Sequence, residues 1–211
     1  MLEREIKQLL TEEEYLKILG SEDLQNSSKH HHMQINYYYD TDDYQLHQQG
    51  ITLRVRQKGA KLSLEMKTPF EVRDGYKVKK EETKRMDQLK SVIWLAQEFD
   101  SAPIQVEVRL IQPLITERTH FQISEHIQVD LDKNSYLGLV DYELEIEFDE
   151  GHEQEALHLF QILCPNRIAQ PSGGKNSRFF QQYFQMLRNQ QADKGRTTDL
   201  WVNNITSQRE N

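Results

Sequence analysis

Charged and apolar side chains alternate in four short segments of the chain, and this alternation constrains the fold more than any other feature. The four segments are residues 2–7, 53–58, 64–67 and 143–148. In a β-strand, successive side chains point to opposite faces, so each segment carries at least two charges on one face and its aliphatic groups on the other. The pattern predicts a sheet with one charged face and one apolar face.

The rest of the chain reads as strands and helices joined by short turns. Thr11 and Glu14 form a capping box, which predicts a helix that ends at Gly20. Residues 29–32, which include three consecutive histidines, are expected in a polar loop. Apolar spacing predicts further helices over residues 86–96, 156–163 and 179–187. Strands are expected at residues 34–41, 51–58, 61–68, 76–83, 104–111, 114–121, 126–132 and 139–148.

The predicted amphipathic helices need an apolar surface to pack on, and the apolar strand faces are the available partner. The charged face would then look either into water or into an enclosed channel. In a channel, the charged side chains would need an ionic ligand, a metal ion or one another, because an unpaired buried charge is costly. The residues alone leave both arrangements open.

Composition narrows the classes of function. The chain has 211 residues and a net charge of -8, which suits one large domain, with or without a tail. No apolar run approaches the roughly 20 residues of a membrane helix and the start lacks a secretory h-region, so we expect a cytoplasmic protein without membrane contact. The single cysteine, Cys164, agrees with a reducing compartment. Net negative charge argues against nucleic-acid binding, while the basic residues concentrated between positions 54 and 80 favour a small anionic ligand.

Four motifs follow one another in a specific order. They are Glu3-x-Glu5-x-Lys7 at the start, Arg54-x-Arg56, a strand with Lys67, and Glu145-x-Glu147 near the end. This order resembles the CYTH superfamily, the triphosphate tunnel metalloenzymes, and particularly its bacterial YjbK-like subgroup. The resemblance implies an α+β fold, a closed antiparallel eight-stranded β-barrel with a charged tunnel and with amphipathic helices packed outside. We expect this domain over residues 1–189, followed by a polar tail over residues 190–211.

The resemblance also implies roles for individual residues. Carboxylates are hard oxygen ligands that suit Mg²⁺ or Mn²⁺, and the implied metal ligands are Glu3, Glu5, Asp132, Glu145 and Glu147. Guanidinium groups offer planar donor forks to phosphate oxygens, and ammonium groups add point charges. The expected substrate-binding residues are Lys7, Arg54, Arg56, Lys67, Lys79, Arg118 and Lys175. Glu5 and Lys7 are the expected catalytic pair.

The predicted activity is metal-dependent hydrolysis of inorganic triphosphate or of a small organic triphosphate such as thiamine triphosphate, by a monomer or homodimer. A class IV adenylate cyclase is a second interpretation, because the same superfamily performs that reaction. A non-catalytic module that binds polyphosphate or a nucleotide is a third. A sheet whose charged face is simply wet is the fourth, and no local pattern indicates a covalent nucleophile.

Overall fold

The computed structural model describes residues 4–25, 27–73, 76–165, 167–168 and 173–207, and the side chains among these except for residues 70–79 and 192–207. The strands are β1 Arg4–Leu10, β2 Ser28–Asp40, β3 Thr52–Lys58, β4 Lys61–Arg73, β5 Tyr76–Met86, β6 Val92–Trp94, β7 Glu107–Gln122, β8 Ile127–Tyr136 and β9 Leu139–Phe148. The helices are α1 Glu12–Leu19, α2 Glu22–Gln25, α3 Gln45–Gln48, α4 Leu95–Glu98, α5 Glu153–Leu163 and α6 Lys175–Ser207.

The strands form one antiparallel sheet in the order β1-β9-β8-β7-β2-β3-β4-β5, and the short β6 pairs with β7. The fold is therefore α+β, as predicted. β1 and β5 are the two ends of the path, and within the described residues no ladder joins them, so closure into a barrel is not observed. Exposed charged residues continue along β5 from Lys80 to Arg85, a composition typical of an edge strand.

Two apolar clusters cover one face of the sheet. The first packs α1, α2 and α5 against β1 and β7 to β9, with Phe121, Leu131 and Phe160 almost completely buried. The second packs α3 and α4 against β3 and β4, with Leu53 and Leu64 in its centre. Because strand parity sends apolar side chains to these clusters, the charged residues of the same strands lie on the other face.

The capping box and α1 are confirmed: Thr11 Oγ1 accepts from the backbone N–H of Glu14, and Glu14 accepts from the backbone N–H of Thr11. The helix α5 is also confirmed. The helix predicted over residues 86–96 is wrong, because β5 ends at Met86, β6 follows, and only the four residues of α4 are helical. Met86 and Ile93 are both buried in the second apolar cluster. Their helical spacing therefore reflects two strands that pack in the same core and not a helix.

Two further sequence interpretations change in the sheet. Residues 29–32 are part of β2 instead of a loop, because β7 continues alongside and pairs with them. The two strands predicted at 104–111 and 114–121 are largely one strand, β7, which starts at Glu107. Its pairing with β2 shifts register between Tyr37 and Tyr39, near Pro113, so the proline interrupts the ladder without ending the strand.

The chain divides into two compact units, residues 1–172 and residues 173–211. The second consists of α6 and its flanking residues, and α6 carries neighbouring aromatic rings at Phe179, Phe180 and Tyr183. The helix continues through residue 190, where the polar tail was predicted to begin. The division into a domain of 1–189 and a tail stays a prediction. None of the helices in the described part of the chain is long and apolar enough to span a bilayer.

Candidate functional site

Side chains of one parity on paired strands share a face of the sheet, because antiparallel partners lie directly opposite each other. Arg118 on β7 lies opposite Asp132 on β8, and Asp132 lies opposite Glu143 on β9. Lys7 on β1 lies opposite Glu145 on β9. The charged face predicted from the alternation is therefore continuous from β1 across to β7, and we call it the polar face.

Arg118 is the centre of an acidic cluster on this face, defined as Arg118 with Asp130, Asp132, Glu143 and Glu145. Arg118 Nε donates to Asp132 Oδ1 at 2.7 Å, and its Nη2 donates to Asp132 Oδ2 and Glu145 Oε2, both at 2.6 Å. Its Nη1 donates to Asp130 Oδ2. Burial works to lower the pKa of Arg118, but the hydrogen bonds and charges of these carboxylates raise the pKa above its usual value. The guanidinium is therefore locked in its charged form.

Among the described side chains of this region, carboxyl groups outnumber the guanidinium and ammonium groups beside them. The four acidic members of the acidic cluster are each at most 5% exposed. Lys7 adds one ammonium group, whose Nζ lies 2.8 Å from Glu5 Oε2 and 3.3 Å from Glu145 Oε1. Among the described residues, His120 Nδ1 also lies 2.7 Å from Asp130 Oδ1. So many buried carboxyl groups in one place favour the binding of a further cation.

Two sets of three carboxylates converge closely enough to hold a metal ion. One set is Asp132, Glu143 and Glu145, and the other is Glu5, Glu145 and Glu147. In each set, one oxygen atom per residue lies within 4.8 Å of the other two. Carboxylate oxygens are the donors that Mg²⁺ and Mn²⁺ prefer, so the donor chemistry fits either ion. Glu145 belongs to both sets.

The pKa of Glu147 is affected by the neighbouring carboxyl groups. Burial, followed by the charges of Asp130 and Glu145, raises the pKa of the Glu147 carboxyl, and Gln128 Nε2 donates to Glu147 Oε2. A cation held near Glu147 would act in the opposite direction and favour its ionised form. A bound metal ion would therefore stabilise the ionised form of the Glu147 carboxyl.

A basic cluster of Arg54, Arg56 and Glu65 lies on the polar face of β3 and β4. Arg54 Nε and Nη2 lie 2.9 and 2.8 Å from Glu65 Oε2, and Arg56 Nη1 lies 3.5 Å from Glu65 Oε1. Ser63 Oγ donates to Glu65 Oε1 at 2.9 Å. Arg54 and Glu65 are 8% and 4% exposed. Two guanidinium groups share one carboxylate, so this cluster has an excess of positive charge.

The remaining predicted site residues lie outside the two clusters or outside the described side chains. Lys67 Nζ forms an ion pair with Glu81 Oε2 at 2.7 Å, beside the basic cluster on β4 and β5. Glu3 lies outside the described residues, and Lys79 lies in β5 without a described side chain. Lys175 begins α6 in the second unit, which is described by itself. The roles of these residues stay predictions.

The sequence interpretation named no site residue on β2, because it assigned the histidines to a loop and the tyrosines to packing. Three β2 side chains nevertheless face the same way as the two clusters. His32 lies opposite Arg118 in the β7 ladder, and Asn36 Oδ1 accepts from Arg56 Nε at 3.2 Å. Gln34 lies between them along the strand. Alternation from Asn36 would have identified this row, had the strand been extended back to Ser28.

Comparisons with known proteins identify the family of the chain. The family model described as CYTH domain matches residues 1–180. The chain therefore belongs to the CYTH domain family. A Bacillus subtilis (strain 168) protein, provisionally named triphosphatase YjbK, is 31% identical over 157 residues, which cover 72% of this chain and 80% of that protein.

Two solved structures have a similar fold. A Bacillus halodurans protein, provisionally named an adenylate cyclase, is 26% identical, with a TM-score of 0.59 over 85% of this chain and 97% of that one. HpAC1 from Hippeastrum, provisionally an adenylyl cyclase and described as having a dominant triphosphatase activity, has a TM-score of 0.65 over 86% of this chain and 96% of that one. At 21% identity, this second likeness shows the fold alone.

Proposed function

We propose that this chain is a divalent-metal-dependent phosphohydrolase that acts on a triphosphate. The observation that supports it is the presence, on one polar face, of an acidic cluster suited to a divalent cation and a basic cluster suited to phosphate. A metal–triphosphate complex carries both complementary charges. Family membership and the triphosphatase name of the Bacillus subtilis relative support the same class of reaction.

The basic cluster would bind the phosphate chain. Arg54 and Arg56 present planar donor forks, which match phosphate oxygens better than ammonium groups do. Glu65 holds both guanidinium groups in place before the substrate arrives, so little conformational entropy is lost on binding. Lys67 and Lys79 would add positive charge to the same ligand, and Lys175, in the second unit, stays a predicted phosphate-binding residue. Catalysis by such a site consists mostly of positioning and charge stabilisation.

The acidic side of the polar face would hold Mg²⁺ or Mn²⁺, through Glu5, Asp132, Glu145 and Glu147, with Glu3 as a further predicted ligand and Glu143 added by the structure. A divalent ion there would supply charge neutralisation on phosphate oxygens and a more acidic water. Arg118 orients Asp132 and Glu145 through its hydrogen bonds. Lys7 forms ion pairs with Glu5 and Glu145. Its ammonium group would also contact a phosphate oxygen.

The proposal also covers the substrate, the cellular location, the oligomeric state and the closure of the sheet. We propose inorganic triphosphate or a small organic triphosphate, such as thiamine triphosphate, as the substrate of a cytoplasmic monomer or homodimer. We also propose that the sheet closes into a barrel around the bound ligand, with β1 beside β5. A crystal structure with Mn²⁺ and tripolyphosphate would test the closure, and light scattering would give the oligomeric state.

Phosphate release is the decisive experiment. Purified protein is incubated with Mg²⁺ or Mn²⁺ and with tripolyphosphate, thiamine triphosphate or ATP, and orthophosphate is measured against an EDTA control. We expect metal-dependent release from at least one of the three. Absence of release from all three, in folded protein, would refute the hydrolase. Cyclic AMP formed from ATP would instead indicate the cyclase, and tight binding of an unchanged ligand would indicate a binding module.

A further inference from the structure

Three side chains at alternate positions of β2 form what we call the polar row: His32, Gln34 and Asn36. One end of the polar row lies opposite Arg118 of the acidic cluster. The other end is bonded to the basic cluster, because Asn36 Oδ1 accepts from Arg56 Nε at 3.2 Å. The polar row therefore lies between the two charged clusters on the polar face, and none of the proposed roles uses it.

Each member of the polar row has buried hydrogen-bonding capacity that the described protein does not satisfy. Gln34 is 3% exposed and Asn36 is fully buried. Gln34 Oε1, Asn36 Nδ2 and both ring nitrogens of His32 have no hydrogen-bond partner within the described residues. Buried polar atoms in folded proteins are nearly always bonded, and leaving one unbonded costs stability. Three such residues in succession indicate a ligand that supplies the missing partners.

The chemistry of the unsatisfied atoms restricts that ligand. Burial, followed by the charges of Lys58 and Arg118, lowers the pKa of His32, so the imidazole is neutral and has one donor and one acceptor. The bond from Arg56 fixes the amide of Asn36 with its Nδ2 donor unsatisfied. Gln34 contributes an acceptor. The polar row thus offers donors and acceptors together, and it has no charge.

Inorganic triphosphate does not match this set. Its ionised oxygens only accept hydrogen bonds, so they could satisfy Asn36 Nδ2 but not Gln34 Oε1. The cations that phosphate requires are on the neighbouring strands, at Arg54, Arg56 and Arg118. An organic group with amino, carbonyl or hydroxyl functions would satisfy donors and acceptors alike.

We propose that the polar row is a specificity site for the uncharged, hydrogen-bonding organic part of an organic triphosphate, such as the base or sugar of a nucleoside triphosphate. This proposal rests on the proposed function, because it takes the triphosphate as already held by the two clusters. It adds that the preferred substrate carries an organic group and is not the bare inorganic chain.

The test is the substitution Gln34→Met, which removes the amide and keeps the length of the side chain. The matched control is Gln57→Met, since Gln57 lies on the adjacent strand with the opposite parity and bonds to the Tyr37 hydroxyl and to Gly59 O. Values of kcat/KM are measured with Mg²⁺ for ATP, GTP, thiamine triphosphate and tripolyphosphate. We expect Gln34→Met to lower kcat/KM for the best organic substrate by about five-fold, the value of one hydrogen bond to an uncharged group. The value for tripolyphosphate should change less, and Gln57→Met should leave the ratio of the two unchanged.

If the wild-type protein hydrolyses none of the four compounds, the proposed function fails, but the ligands stay intact and their Kd values are measured by calorimetry. The same five-fold selective weakening is then expected in Kd. Equal losses for organic and inorganic ligands, no loss for either, or no binding of any organic triphosphate by the wild-type protein would overturn the polar row as a specificity site.

Thermal unfolding without ligand separates a ligand-binding role from a structural one. Gln34→Met removes an unsatisfied buried acceptor, so we expect this substitution to raise the ligand-free Tm by about 2–4 °C in a protein of this size. Substitution of a residue that stabilises the fold would instead lower the ligand-free Tm. A fall in the ligand-free Tm of Gln34→Met would assign Gln34 to structure and overturn the proposal.

Discussion

The acidic and basic clusters are built from the same two chemical groups in opposite proportions. In the acidic cluster, one guanidinium, that of Arg118, lies among Asp130, Asp132 and Glu145. In the basic cluster, one carboxylate, that of Glu65, lies between Arg54 and Arg56. Each minority group holds its neighbours in place, and the majority group sets the sign of the remaining charge. One polar face can therefore attract a cation at one end and an anion at the other.

The largest expected effect comes from removing the carboxylate shared by both candidate metal sets. Glu145→Gln keeps the shape of the side chain but weakens both sets, so we expect kcat of metal-dependent phosphate release to fall by about 100- to 1000-fold. Glu117→Gln is the control, since Glu117 has the opposite parity on β7 and pairs with Lys133 at 3.4 Å. Retention of most of the activity in Glu145→Gln would contradict a metal-binding role for the acidic cluster.

The basic cluster is tested by Arg54→Lys, which keeps the charge and removes the fork. We expect a rise in KM for tripolyphosphate of about ten-fold, because a point charge replaces bidentate phosphate contact. The control is Arg109→Lys, where the guanidinium is exposed and pairs with Glu107. Steady-state kinetics separate KM from kcat. An unchanged KM with a lowered Tm would assign Arg54 to holding Glu65 alone.

Metal binding should stabilise the fold through the acidic cluster. An ion at 100 times its Kd adds about 2.7 kcal/mol to the free energy of unfolding, which corresponds to a rise in Tm of about 5–10 °C at this size. Differential scanning fluorimetry with Mn²⁺ and with EDTA measures the shift. Glu145→Gln should lose most of it and Arg54→Lys should keep it, and equal shifts in both variants would contradict separate sites.

The smallest effect concerns pH. Because the folded-state pKa of Glu147 is raised, ionisation of Glu147 disfavours the folded state, and its contribution to stability is lost as pH rises from the unfolded value of 4.5 through the folded pKa. In EDTA, Glu147→Gln should therefore have a higher Tm than the wild-type protein at pH 7. The difference should vanish below pH 4.5, where the wild-type carboxyl is protonated in both states. A difference that does not depend on pH would remove the electrostatic explanation.

Much of the site could be predicted from the alternation of charged and apolar residues, because alternation depends only on neighbouring positions in one strand. Leu53, Val55, Leu64 and Met66 occupy the buried parity of their strands, so Arg54, Arg56 and Glu65 had to share the other face. The capping box at Thr11 is equally local, because both of its hydrogen bonds join residues three apart. Features decided within one strand or one helical turn were predictable.

The failures lie where distant segments decide the structure. Met86, Ile93 and Ala96 have helical spacing, but tertiary packing places Met86 at a strand end and Ile93 in a strand paired to β7. The histidines at 30–32 look like a loop because they are polar, and they become a strand only because residues 118–120 of β7 pair with them. That error also hid the polar row, since His32 has no local partner that marks it.

Which residues share a face follows from local sequence, because the two-residue period of a strand depends only on neighbouring positions. Which charges meet depends on the pairing of distant strands. Arg118, Asp132 and Glu145 are separated by up to 27 residues in the chain and converge through the β7-β8-β9 ladder. Electrostatic interaction depends on distance in space, so register, which strand pairing sets across the whole chain, converts a list of charges into two clusters of opposite sign.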